Sequence, residues 1–105
     1  MSDIPEVLEA KAKVKLALKE SDLYGQLAEE CSELAQAALK KQRILNGSNL
    51  PSASEDIVDA NLVEELTDIL LSADVIGLRK SDKIYDEKAL RWGRRVTAVS
   101  EGKRS

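Results

Sequence analysis

The chain has 105 residues, 43% of them hydrophobic and 33% charged, with a net charge of −3. That length suits a single domain spanning residues 1–105, and the negative balance argues against general nucleic-acid binding, which draws on a positive surface. With no histidine and one cysteine, Cys31, the composition removes Ser-His and Cys-His catalysis, histidine zinc sites, di-iron Glu-x-x-His sets and any intrachain disulfide.

Other classes fall away as simply. The five glycines are scattered, so no phosphate-binding glycine loop is present. No basic region followed by an apolar run opens the chain, and no apolar stretch approaches the ~20 residues of a membrane span. The expectation is a soluble cytoplasmic protein with no membrane partner, whose chemistry comes from carboxylates, a metal, and Lys or Arg. Aromatics are 3% and Phe is absent, so the core must be aliphatic and small, and self-association is expected to enlarge it.

Helical periodicity predicts an all-α fold of four helices with no strand. The first is expected over residues 5–19, opening on Pro5, whose fixed φ suits a first turn, with Val7, Leu8, Ala12, Val14, Leu16 and Leu18 in a loose apolar pattern. The second is expected after Ser21, a good N-cap with Asp22 in the first turn. It runs through Leu23, Leu27, Leu34 and Ala38 to about residue 45, where Asn46-Gly47 stops it. Residues 48–59, with Pro51 and three serines, form the one expected loop, within which 55–58 suit a short helical turn. The third helix is expected over 61–79 and the fourth from the capping pair Ser81-Asp82 to about 99, with a frayed tail.

Two acidic patterns carry the chemistry. Glu30 and Glu33 on the second helix, and Glu65 and Asp68 on the third, are pairs three residues apart, which share a helix side. On a helical wheel Glu30 and Glu33 fall ~60° and ~120° from the stripe of Leu27, Leu34 and Ala38, while Glu29 points nearly opposite, to solvent. Glu65 and Asp68 fall ~100° and ~160° from a stripe of Leu62, Leu66, Leu70 and Ala73. No Lys or Arg stands at the i+4 positions Leu34, Ala37, Ile69 and Ser72. Facing helices would bring four carboxylates together without a cation of their own, a site for Mg²⁺ or Mn²⁺. On the far side of the third helix Leu71 and Val75 are expected to be covered by another subunit.

Glu29-Glu30-Cys31-Ser32-Glu33, followed by Glu65-Leu66-Thr67-Asp68, resembles the Glu-Glu-x-x-Glu and Glu-x-x-Asp signature of the MazG-like all-α nucleoside triphosphate pyrophosphohydrolases. The resemblance spans about residues 23–95. It implies a four-helix subunit that completes a helical bundle as a homodimer or homotetramer. It also implies hydrolysis of a nucleoside triphosphate between the α and β phosphates, with Mg²⁺, to a monophosphate and pyrophosphate. By motif match Glu30, Glu33, Glu65 and Asp68 take the metal-ligand roles, and Glu29 joins them as a candidate to orient the attacking water. The long spacer between the motifs is a departure, and the base preference is left open by it.

A triphosphate also needs positive charge. Lys40, Lys41 and Arg43 follow the second acidic helix, and Lys88, Arg91 and Arg95 form a stripe on the fourth; each alone also reads as a solvated helix face. Trp92 is a candidate to stack on a base, against filling core or interface. Cys31 beside glutamates has a disfavoured thiolate and is no nucleophile. Asp74 is read either as a fifth acidic group or as a helix–helix hydrogen-bond partner. The competing function is a non-catalytic acidic helical dimer that binds a basic partner and folds indifferently to Mg²⁺.

Overall fold

A computed structural model describes residues 4–47 and 54–102. It contains α1 (Pro5–Ala17), α2 (Glu20–Asn46), α3 (Glu55–Ile76) and α4 (Asp82–Ser100), and no strand among the described residues. The all-α expectation holds, with four boundary corrections. α1 ends at Ala17, and α2 resumes at Glu20 behind Lys19, so Ser21 lies in the first turn and caps nothing. There Glu20 and Asp22 face the unpaired N–H groups instead.

The third helix begins six residues earlier than the apolar pattern suggests. Ser54 is its N-cap, its hydroxyl accepting from the Ile57 N–H at 3.3 Å. The half of the expected loop from residue 54 onward is therefore helix, and residues 48–53 lie outside those described. α3 ends at Gly77, not near residue 79, because Gly77 adopts φ +96°, a conformation glycine tolerates, and returns its N–H to Ala73 and Asp74.

α2 and α3 form an antiparallel hairpin. Lys41 near the end of α2 bridges Glu55 and Asp59 at the start of α3, both at 2.6 Å. The residues of α2 withdrawn from solvent are Leu23, Leu27, Glu30, Leu34, Ala37, Lys41 and Ile44, alternately four and three apart, the spacing of a coiled-coil seam. On α3 the run Val58, Leu62, Glu65, Ile69, Ser72 and Ile76 repeats it. The stripe expected from Leu62, Leu66, Leu70 and Ala73 is thus rotated: Leu66 and Leu70 are each 48% exposed.

α1 lies against α3, its Lys11 ammonium paired with the Asp74 carboxylate. That contact corrects a second expectation. Val75 is buried within the chain, whereas Leu71 stays half exposed. α4 packs extensively against none of the other helices and buries no residue. The consequence is an open shape, with a radius of gyration of 18.3 Å where a chain of this length packs to about 13 Å.

Candidate metal centre

Two of the seam positions are acidic. A coiled-coil seam wants apolar side chains, yet Glu30 of α2 and Glu65 of α3 occupy it, both half-buried, with the exposed Glu33 one turn beyond Glu30. Glu30, Glu33 and Glu65 each bring one carboxylate oxygen to a common point, all within 4.8 Å of one another. The Oε2 atoms of Glu30 and Glu65 are buried and accept no hydrogen bond. Burying a carboxylate oxygen without a partner is costly.

The electrostatics follow from that crowding. Burial pushes the Glu65 carboxyl above its ordinary value, reinforced by a hydrogen-bonding Glu33 carboxyl and by the charges of Glu33, Asp68 and Glu30. No Lys or Arg forms an ion pair with these four carboxylates among the described residues. Glu30 Oε1 accepts from Gln26 Nε2 at 2.7 Å, so the two oxygens of that carboxylate differ: one is bonded and the other is without a partner.

An all-carboxylate donor set with two orphaned oxygens fits a hard divalent cation. Mg²⁺ takes oxygens at about 2.1 Å, so its ligand oxygens stand roughly 3–4 Å apart, and the three oxygens here lie within 4.8 Å of one another. Asp68 is half-buried and bears on Glu65 by charge, but it stands outside the three-oxygen cluster and faces an adjoining groove with Glu30. Glu29 is exposed, the orientation the wheel predicts, and takes no part in the cluster.

The basic candidates separate into three groups. Lys40 lines a cleft of about 290 Å³ whose walls include Glu33, Gln36, Asn61, Glu64 and Glu65, so it borders the cluster. Lys41 is committed to Glu55 and Asp59, which hold its ammonium protonated above the ordinary range. Arg43 is exposed near the end of α2. Lys88, Arg91 and Arg95 ride on α4 and are not brought against α2 or α3 by packing within the chain. Trp92 is 67% exposed on the same helix, filling no core of this subunit.

Asp74 is the helix–helix partner, not a fifth member of the cluster: Lys11 and Arg79 both bond it. The sequence reading passed over Gln26, Gln36 and Asn61. Gln26 and Asn61 each stand four residues before a seam glutamate, a spacing that puts them on the same helix side. Compared with protein-family models, with curated proteins and with solved structures, the chain matches none. The likeness to the MazG-like enzymes rests on the motif residues alone.

Proposed function

We propose that the chain is a metal-dependent nucleoside triphosphate pyrophosphohydrolase of the MazG-like type, with its site at the Glu30, Glu33 and Glu65 cluster. The observation that carries this reading is the pair of buried, unpartnered carboxylate oxygens at seam positions, beside a third glutamate and with no protein cation to neutralise them. Lys41, the other charged seam residue, is paired with Glu55 and Asp59, whereas the seam carboxylates lack a cationic partner among the described residues, which is what a bound cation would supply.

Glu30, Glu33 and Glu65 hold Mg²⁺ or Mn²⁺ in this reading, with Asp68 as the fourth ligand after a modest side-chain rotation. The cation supplies polarisation of the phosphate oxygens and acidification of a bound water. The chain's own groups do the rest. Gln26 keeps Glu30 turned toward the cluster. One carboxylate of the set orients the attacking water and takes its proton. Glu29 faces solvent and is the weaker candidate for that role. Lys40 lies close enough to the cluster's cleft to meet a phosphate oxygen; Lys88, Arg91, Arg95 and Trp92 reach a nucleotide only from a neighbouring subunit.

The same reading has the subunits working as a homodimer or homotetramer in the cytoplasm. A second reading, a non-catalytic interaction module, draws on α4, whose Leu90, Trp92, Val96 and Val99 are all more than half exposed. A panel of canonical and damaged nucleoside triphosphates, assayed with Mg²⁺ or Mn²⁺ for pyrophosphate and monophosphate, separates the two. The hydrolase reading expects pyrophosphate from at least one of them; the interaction reading expects none.

A further inference from the structure

α1 is fastened to the hairpin differently from the way α2 and α3 hold each other. It buries none of its residues and packs thinly, against α3. Val7, Ala10, Val14 and Leu18 line one side of a groove of about 580 Å³, with Leu71 and Val75 across it and Glu30 and Asp68 on the hairpin side. Two cations one turn apart meet the last turn of α3. Lys11 pairs with Asp74. Lys15 Nζ stands 4.0 Å from where a Cβ on Gly77 would lie, at the C-terminal end of the helix, where the dipole favours a positive charge. The join to α2 is short, Leu18 and Lys19, both with extended backbone. The Leu18 N–H bonds Val14 of α1, whereas the Lys19 carbonyl accepts from Asp22 and Leu23 of α2. A rotation between the two residues breaks none of these bonds.

We propose that α1 is a hinged cover: it swings about Leu18 and Lys19 when Lys11 releases Asp74, and so opens the groove in which Glu30 and Asp68 stand. A segment with few buried apolar contacts opens locally at less cost than global unfolding, and element-terminal residues serve as its hinge. Asp74 makes the release affordable. Its side chain is 7% exposed, and a carboxylate so placed is costly to leave without a cation. Arg79 Nη1 bonds its other oxygen at 3.3 Å, so Asp74 keeps a partner after Lys11 departs. The seam is made by α2 and α3 alone, and the Lys41 bridge lies at the far end of the hairpin, so both survive the swing. The inference concerns access to the carboxylates and is independent of what they bind.

Two measurements on the full chain test it. The first is hydrogen exchange in wild type at low urea. A freed helix of 13 residues is marginal in water, so the α1 amides exchange through an opening with little urea dependence, at least about tenfold faster than the seam amides of Leu62 and Ile69. One opening free energy and one urea slope shared by α1 and the seam would overturn the cover. The second measures access to the groove, through a thiol reagent acting on Ser72→Cys, a groove position, with Cys31→Ser removing the native thiol. Asp74→Asn or Lys11→Met speeds that reaction about tenfold or more, the loss expected of a hydrogen bond to a charged group. Arg79→Ala slows it, because opening then strands Asp74, whereas simple destabilisation would speed it. A rate that Asp74→Asn and Lys11→Met leave unchanged, or one that Arg79→Ala raises, overturns the proposal. So does a wild-type background in which Ser72→Cys already reacts as fast as in the unfolded chain. The exchange experiment decides if a variant does not fold.

Discussion

In the proposed reading Glu33 and Glu65 concentrate the chemistry at the residue scale, because a carboxylate placed to bind a cation is a burden without one. Glu33→Ala should lower turnover by at least about a hundredfold, since changing even an outer partner of a metal ligand costs ~10–100-fold. The same change should raise the melting temperature of the metal-free protein, by relieving repulsion on Glu65. Melting curves with and without Mg²⁺ check both: wild type gains on adding the ion and Glu33→Ala gains much less. A variant that keeps wild-type turnover would move the site elsewhere.

Asp74 gives a residue-scale prediction independent of any metal. Its hydrogen bond from Lys11 holds the carboxyl below its ordinary value of 3.8, against the opposing effect of burial, with the charges of Lys11 and Arg79 helping. A carboxyl depressed on folding stabilises fully above its unfolded pKa and loses that contribution as pH falls toward its folded one. Asp74→Asn should therefore melt lower than wild type at pH 7, with the gap closing as both are brought below about pH 4. A gap that stays constant with pH would mean the ion pair does not anchor α1.

At the scale of elements, the helices and the acidic pairs were readable in the residues, while the side of α3 that meets α2 was not. A wheel at 100° per residue makes a stripe of Leu62, Leu66 and Leu70, because those are the strongest apolar residues in reach. The packed helices instead follow alternating steps of four and three, and that seam runs through Glu65. The misreading has a physical cause: a seam that carries carboxylates looks, by hydrophobicity alone, like the border of a core. The start of α3 was hidden for a similar reason, since Glu55 and Asp56 look like loop until Lys41 is seen to reach back to Glu55 and Asp59. Val58, 1% exposed, is the fulcrum of that end. Val58→Ala should cost about 2–3 kcal/mol, read as a lower midpoint in urea denaturation with Mg²⁺ response retained. An unchanged midpoint would show that the hairpin is held at its other end.

At the scale of the molecule, the subunit exposes 8474 Å², where a monomer of its 11.5 kDa shows roughly 5800 Å². The excess is of the size that obligate dimers bury. With Val75 covered by α1, the unpacked helix α4 offers Ile84, Leu90, Trp92, Val96 and Val99 for association, all more than half exposed. Sedimentation at micromolar concentration should give a species of twice 11.5 kDa or more, and Val96→Glu should shift it toward monomer; a wild-type monomer would remove the association. An assembly of that kind is also what would carry Arg91, Trp92 and Arg95 to a neighbour's carboxylates. The claim on which the rest depends is that those carboxylates serve hydrolysis at the α phosphorus. Turnover of a nucleoside triphosphate in ¹⁸O-labelled water with Mg²⁺ tests it most directly. The label should enter the nucleoside monophosphate, leaving the released pyrophosphate unlabelled. Label in orthophosphate or in pyrophosphate, or no turnover of any nucleotide offered, would contradict it.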